Sequence, residues 1–461
     1  MKSHFACIII GGGSAGYSAA RTAKTYTSDV AIIDNSHELG GLCILRGCMP
    51  SKTLIYSAEV LHLAQNPSLF GLKIPKAQVD IHALHQRKKK IIHEFAQYRQ
   101  NQLQSGEFTL IRSSGAFINE TTFQLSDRTQ LTADKFIIAT GSSVNTPNIP
   151  GLKDIPFLTS DDILDLKTLP ESIIILGGGI VACELSQFLN RIGVQVIQIQ
   201  RSPHILKENS TESASVLETV FRNEGIELYT DTQITNIQQI ENNFITVQFQ
   251  HNNQTITKKA RYLLNALGRK ANTHHLGLDK AKVYLKKSKQ IETTPFLQTS
   301  NPNIYAAGDS TGPHEIVHVA ILQGECAAHH AFNPNNATPI NYNHLVRIVF
   351  TDPQIAYAGA TEKELQNENI DFLSSQYPFD DHGKSILMEA KYGYVKLFVN
   401  KKNRQVIGAE CVGKDASELI HSMAVAITLN ATLHDLLKVH WYHPTLSEIW
   451  TYPIEEIIDK L

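Results

Sequence analysis

The feature that most constrains this chain is a unit that occurs twice. Residues 5–21 read FACIIIGGGSAGYSAAR, and residues 172–188 read SIIILGGGIVACELSQF. Each is a β-branched apolar run, then a glycine cluster, then small residues. That order predicts a buried strand, a tight turn and a helix packed back on the strand, which is how a dinucleotide-binding fold opens. Gly11 and Gly177 make the sharp turn. Gly13 and Gly179 let the backbone approach a pyrophosphate, and Gly16 and Ala182 allow close packing of helix on strand. The pyrophosphate belongs at the helix N-terminus, where unpaired N–H groups favour an anion. One such glycine pattern is weak evidence. Two, each after a strand and before a helix, predict an α/β chain with two Rossmann-like domains.

Each unit has a later partner strand ending in a small-residue turn, FIIATGS at 136–142 and YLLNALGR at 262–269. The first unit also has a second strand, Val30 to Asp34, that ends in an acid. Asp34 lies about 20 residues beyond the glycines, the spacing at which a carboxylate reaches a ribose hydroxyl. A surface acid at a strand end is the alternative. The corresponding strand of the second unit ends Val196-Ile197-Gln198-Ile199-Gln200-Arg201, without an acid. Arg201 and Lys207 suit a ribose 2′-phosphate through charge-assisted hydrogen bonds, which favours NADPH over NADH. Plain surface cations are the alternative. From Val349 onward the pattern changes. Residues 394–399 and 406–412 read as strands, and 417–430 as a helix with Leu419, Met423, Ala426 and Ile427 on one face. No glycine fingerprint recurs there, so a separate α+β domain without its own nucleotide is expected.

Composition narrows the class. With 461 residues, about three domains are expected. The 42 Lys and Arg against 44 Asp and Glu give a net charge of −2, which argues against nucleic-acid or membrane binding through bulk positive charge. The run Arg87-Lys88-Lys89-Lys90 falls in the mainly helical stretch 56–104 and is read as a solvated helix face. No apolar run approaches the roughly 18 residues of a membrane span, and the N-terminal one is too short for a signal-peptide core. Most of the six cysteines sit in apolar stretches, as in reduced cytosolic proteins. The twenty histidines form no ligand pattern, so no metal site is expected. A soluble cytoplasmic enzyme is the expectation.

The stretch from 40 to 52, GGLCILRGCMPSK, is the most informative. In an ideal helix, residues five apart have α-carbons roughly 8.5 Å apart. A disulfide tolerates only about 7 Å. Gly47 is therefore expected to loosen the turn between Cys43 and Cys48. Pro50 suits the first turn of a helix, which places Cys48 near its positive end and favours a thiolate. Lys52 adds positive charge one turn on. In a chain with two nucleotide units, such a pair reads as redox-active. Metal ligation or two unlinked core thiols are the alternatives, and no second Cys/His pair lies at zinc-like spacing.

The pattern G-G-x-C-x-x-x-x-G-C-x-P-S-K resembles the redox-disulfide motif of the class I pyridine nucleotide–disulfide oxidoreductases. That family includes dihydrolipoamide dehydrogenase, glutathione reductase and mercuric reductase. The resemblance spans nearly the whole chain. Ala306-Ala307-Gly308-Asp309 resembles the flavin-ribityl motif, and Phe350-Thr351-Asp352-Pro353-Gln354-Ile355-Ala356 the start of the interface domain. His443-Pro444-Thr445-Leu446-Ser447-Glu448 resembles the H-P-T-x-x-E motif. The departures are Leu42 and Leu267, where the family usually has Thr.

The resemblance implies the following. FAD is held by Gly11, Gly13, Gly16, Asp34 and Gly41, with Gly115, Thr140, Gly141, Asp309 and Val317 completing the flavin site. The nicotinamide nucleotide is held by Gly177, Gly179, Ala182, Arg201, Lys207 and Gly268. Lys52 approaches the flavin and pairs with Glu184, for which an exposed helical position is the alternative. Cys48 is the flavin-proximal thiol and Cys43 exchanges with an external disulfide. His443 carries the proton, oriented by Glu448, and reaches the other subunit of a homodimer. Thr445-x-x-Glu448 is also a capping box, so Glu448 as a mere helix cap is the rival reading. The implied domains are FAD-binding at 1–145 and 266–338, NAD(P)-binding at 146–265, and dimerisation at 339–461. The implied enzyme is most like dihydrolipoamide dehydrogenase and acts on a small-molecule or protein-bound disulfide, a lipoyl domain included. A mercuric- or glutathione-reductase-like enzyme, a flavin NAD(P)H oxidase or transhydrogenase, and a docking flavoprotein of a multienzyme complex are the alternatives.

Overall fold

The structure is a computed structural model and describes residues 2–312 and 314–461. It divides into two compact units. One comprises 1–53, 82–145 and 268–340, and the other 54–81, 146–267 and 341–461.

The first unit is built on the apolar run at the N-terminus. Strand β1 (His4–Ile10) leads through the glycines into helix α1 (Ser14–Lys24), and strand β2 (Val30–Ile33) follows. Short helix α2 (Gly41–Leu45) and the first turns of long helix α3 (Cys48–Gln65), whose residues from 54 on belong to the second unit, carry the two cysteines. Helix α4 (Ile81–Leu103) precedes β3 (Thr109–Ile111), β4 (Gly115–Phe117), β5 (Thr122–Leu125) and β6 (Gln130–Ile138). The sheet runs β3-β2-β1-β6-β5-β4, and a late strand, Ile304–Ala306, pairs in parallel with β6. The central strands are parallel and buried on both faces, which explains their unbroken Ile and Val content. Helix Val317–Phe332 packs on α1 so closely that a Cβ on Gly324 would lie 2.2 Å from the Ala15 carbonyl oxygen.

The second unit repeats the theme with a four-stranded parallel sheet that contains Ser172–Leu176, Gln195–Ile199 and Tyr262–Asn265. It also holds a five-stranded antiparallel sheet with Tyr394–Asn400 and Val406–Gly413 near its centre. Helix Ala416–Thr428 covers that sheet with Leu419, Met423, Ala426 and Ile427, all buried as their spacing predicts. Trp450 and Ile454 complete the same core.

One expectation fails on α4. Arg87, Lys89 and Lys90 are exposed, but Lys88 is buried. Lys88 lies one turn from buried Leu84 and Ile92, so it shares their inward face although its neighbours in sequence are charged. Among the described residues, no helix is long and apolar enough to cross a membrane.

Burial also collects a carboxyl cluster. Glu410 is 2% exposed, and Ser210, Tyr394 and Tyr357 all donate to its Oε1, at 2.7, 2.8 and 3.0 Å. Burial raises its pKa despite these donors. The folded state therefore keeps a proton that the unfolded chain gives up. The stability this contributes is complete below the ordinary carboxyl range and is lost as pH rises through the elevated folded value. Glu410→Gln cannot ionise. Across that window it should gain steadily on the wild type, then hold level above it. Melting temperatures of both proteins measured against pH check this.

Candidate active site

The glycine turn of the first unit is shaped by contacts that exclude side chains. Gly11 has φ +108°, and a Cβ there would sit 2.3 Å from the Ala139 carbonyl oxygen. A Cβ on Gly16 would sit 1.8 Å from the Gly11 carbonyl oxygen. Gly13 is the N-cap of α1. No side chain caps it, and the first turn holds no acid. Gly41, at φ +74°, brings its backbone so near that a Cβ would lie 2.7 Å from the Gly13 α-carbon. The first-turn N–H groups thus have no capping side chain and are flanked by glycine backbone, a cradle suited to a pyrophosphate. Asp34 follows β2. Its Oδ2 accepts the Gly12 N–H at 2.7 Å and its Oδ1 the Ser36 N–H at 2.8 Å, so this acid is built into the turn.

The rest of the expected flavin set lies in the same unit. Thr140 donates its hydroxyl to the Asn272 carbonyl at 2.8 Å, and Asn272 returns an amide N–H to the Thr140 carbonyl at 3.0 Å. Gly141, at φ +68°, has open space where a Cβ would be. Asp309 Oδ2 accepts from the Ser142 hydroxyl at 2.5 Å, and Arg269 in turn donates to Ser142 Oγ and O. Val317 opens an uncapped helix. Gly115 lies in the β4–β5 hairpin, where a Cβ would meet the Phe123 ring and the Gln124 carbonyl oxygen at 2.5 Å, so packing alone requires a glycine there. Gly268, expected with the nicotinamide residues, falls instead in the first unit, where its carbonyl accepts the Asn145 N–H at 2.9 Å.

The cysteines sit on either side of a break. Helix α2 ends at Leu45 and α3 begins at Cys48, so the ideal-helix separation does not apply. Gly47 occupies the break, and a Cβ there would lie 3.1 Å from the Cys43 α-carbon. Both residues are thiols in this structure. A side-chain hydrogen bond to Cys48 is the main cause that pushes the Cys43 pKa up. Burial adds to it, and the Lys52 charge opposes it. Pro50 is third in α3, where its missing N–H costs no helical bond. Cys48 therefore stands at the positive end of an 18-residue helix.

In the second unit the turn recurs with a different neighbour. Gly177 has φ +120° and approaches the Ala266 carbonyl, while Gly179 is an uncapped N-cap with open space. Ala182 is fully buried. Gln200 takes the place that Asp34 has in the first turn, and a Cβ on Gly178 would lie 2.8 Å from its side chain. The Leu206 N–H donates to the Gly178 carbonyl, which anchors the loop carrying exposed Arg201 and Lys207 beside the turn. Lys207 is 3.3 Å from Glu208. Glu184 is buried, and its Oε1 accepts the Phe350 N–H at 2.9 Å, so the exposed-helix reading does not hold. Farther along that helix, Gln187 and Arg191 bond to Asp352.

Glu448 does two things. Its carboxylate lies 3.0 and 3.1 Å from His443 Nδ1, and Oε1 also accepts the Thr445 N–H at 3.3 Å. The Thr445 hydroxyl donates to the Tyr442 carbonyl at 2.7 Å, and the 3-10 helix that follows has no side-chain cap hydrogen bond. Pro444 follows a cis peptide bond, and the short 3-10 helix begins only at Ser447. His443 is 78% exposed and Glu448 13%.

Comparison with known proteins decides the family. Residues 5–324 match the family model described as pyridine nucleotide-disulphide oxidoreductase, and 345–453 match that family's dimerisation domain. The chain belongs to the pyridine nucleotide-disulphide oxidoreductases. Among them, it is 32% identical to a dihydrolipoyl dehydrogenase of Chlamydia pneumoniae over 98% of this chain and 96% of the relative. It is equally 32% identical to a mercuric reductase of Bacillus cereus, over 96% of this chain and 69% of the relative. LpdA from Mycobacterium tuberculosis has the same fold, with a TM-score of 0.87 and 26% identity, covering 99% of this chain and all of that one.

Members of this family are FAD-dependent enzymes that use a pyridine nucleotide. The first turn, with its glycine cradle and built-in Asp34, fits FAD. Sequence reasoning missed Ser142, Arg269 and Asn272, which secure the expected flavin residues from distant segments, and it missed His382. Buried His382 places Nε2 3.6 Å from Glu448 Oε1. None of these carries a local spacing signal.

Proposed function

We propose that this oxidoreductase moves electrons between NADPH and an external disulfide through FAD and the Cys43–Cys48 pair, and that it is most like dihydrolipoyl dehydrogenase. The observation that carries the reading is the cysteine pair itself. Two thiols flank a helix break at Gly47, with the Lys52 charge acting on Cys43, in the unit whose glycine cradle fits FAD. When bound, FAD supplies the redox centre between nicotinamide and disulfide.

The chain's own residues do the rest. The α1 cradle and Asp34 hold the dinucleotide, while Thr140, Gly141, Asp309 and Val317 position its flavin half. Cys48 would be the flavin-proximal thiol, with Lys52 one helical turn on, and Cys43 would exchange with the substrate. Glu184 stands beside the nicotinamide. His443, oriented by Glu448, holds and returns the thiol proton in the other subunit's site. Residues 1–145 and 266–338 form the FAD domain, 146–265 the nicotinamide domain, and 339–461 the dimerisation domain. The substrate is a small or protein-bound disulfide such as lipoamide, and the direction of the reaction follows the relative potentials.

The NADPH preference rests on the neutral Gln200 and on the cationic loop anchored beside Gly178. An anaerobic titration with NADPH and then NADH tests both parts. A long-wavelength thiolate-to-flavin band after two electrons supports the cysteine circuit, and bleaching without it sinks the circuit. NADPH should be the better reductant. Replacing both Arg201 and Lys207 with Glu should cost it about 10–100-fold in kcat/KM while sparing NADH. Equal losses with both nucleotides would remove the 2′-phosphate reading.

A further inference from the structure

We infer that His382 is a positioning residue for the His443–Glu448 pair: a second, buried imidazole facing the same carboxylate, which sets the pH at which His443 changes charge. The inference takes its functional meaning from the reading of His443 as the proton carrier.

The geometry is specific. The His382 side chain is 1% exposed. Its Nδ1 lies 2.8 Å from Ser385 Oγ. Its Nε2 lies 3.6 Å from Glu448 Oε1 and has no hydrogen-bond partner among the described residues. A lone pair aimed at a carboxylate is repelled, whereas an N–H is attracted. The carboxylate therefore selects the tautomer with the proton on Nε2, and Ser385 donates to Nδ1. Tyr452 closes the flank, with its ring edge-on at 6.1 Å and stacked on Tyr377 at 3.9 Å. The other charged groups nearby are His443 across the carboxylate and, on His382's own turn, Asp380, Asp381 and Lys384 at exposed or half-exposed positions.

Burial lowers the His382 pKa, with the Glu448 charge opposing it, so the ring is neutral near pH 7. A neutral ring presents the positive end of an N–H dipole to Glu448. That dipole holds the carboxylate and offsets part of its charge. His443, bound to the same carboxylate, meets a weakened anion. Without the dipole, the full carboxylate charge faces His443 and favours imidazolium.

The test is a titration of the His443 ring by NMR in the FAD-loaded homodimer labelled with carbon-13 at histidine Cε1. The resonance is identified by its loss in His443→Gln. His382→Leu should raise the midpoint of the His443 titration by about 0.5–1. His382→Asn, which keeps an N–H donor, should return it close to the wild type. Ser385→Ala, which unfixes the tautomer, should move it the same way by less, and it carries the test should His382→Leu not fold. An unchanged midpoint in His382→Leu, or an Asn variant that shifts as far as Leu, overturns the inference. Separately, if His443→Gln keeps wild-type disulfide turnover, the proton-carrier reading falls while the coupling between the two imidazoles stands.

Discussion

Replacing Cys48 with serine should lower turnover of an external disulfide by about a thousandfold or more while leaving bound FAD in place. A hydroxyl neither ionises near neutral pH nor forms a sulfur–sulfur bond, so the circuit has no second sulfur. Serine is also nearly the shape of cysteine, and the break at Gly47 that seats it is backbone geometry, so the fold should be kept. Oxidation of the nicotinamide by an acceptor dye should continue, because that path does not need the disulfide. Parallel assays with lipoamide and with the dye, normalised to flavin content, check this. Disulfide turnover that survives the substitution would take the cysteine pair out of the circuit.

The second large effect separates two glycines three residues apart. Gly16→Ala drives a Cβ into the Gly11 carbonyl, 1.8 Å away, with Ile9 behind it. Both obstacles are part of the packed strand and turn, so relief requires moving backbone, at about 3 kcal/mol or more. Gly13→Ala meets nothing nearer than the Gly41 α-carbon at 3.8 Å, and Gly13 has an ordinary φ of −70°. The apoprotein should tolerate it. Yet its methyl group projects beside the α1 N-terminus, the place proposed for the pyrophosphate. Gly13→Ala should therefore weaken FAD by about 100-fold with the melting temperature of the apoprotein unchanged, while Gly16→Ala lowers that temperature as well. Calorimetry of flavin-free protein and FAD titration of each variant give the two readouts. If both glycines behave alike, the division between packing and ligand approach is wrong.

What the sequence made legible was mostly local. The glycine turns, the helix start at Cys48 and the buried face of the Ala416–Thr428 helix all follow from spacing within a few residues. So does the need for Gly47, although the chain meets it with two helices rather than one loosened helix. What escaped was non-local or context-set. Lys88 reads as part of a charged run, yet the helical period assigns it to the Leu84–Ile92 face. Glu184 reads as an exposed helical acid until Phe350, over a hundred residues on, supplies a backbone N–H. Asp309 depends on Ser142 and Arg269, and Glu448 on His382, and no periodicity links such positions. Thr445 and Glu448 look like a reciprocal capping box, but only the glutamate half forms, and its carboxylate is shared with His443.

The return of strand Ile304–Ala306 to β6 has a consequence for synthesis. The first unit draws on three stretches of chain, the last of them beginning at residue 268. During translation, β1, β2 and β6 emerge early, but Asp309 and the helix that packs on α1 come only after the whole middle stretch has left the ribosome. The intervening segment, which carries the second parallel sheet, can form that sheet in the interval. The proposed flavin site is thus completed by a late-arriving segment, so firm capture of the cofactor is expected near the end of the chain's emergence rather than the beginning.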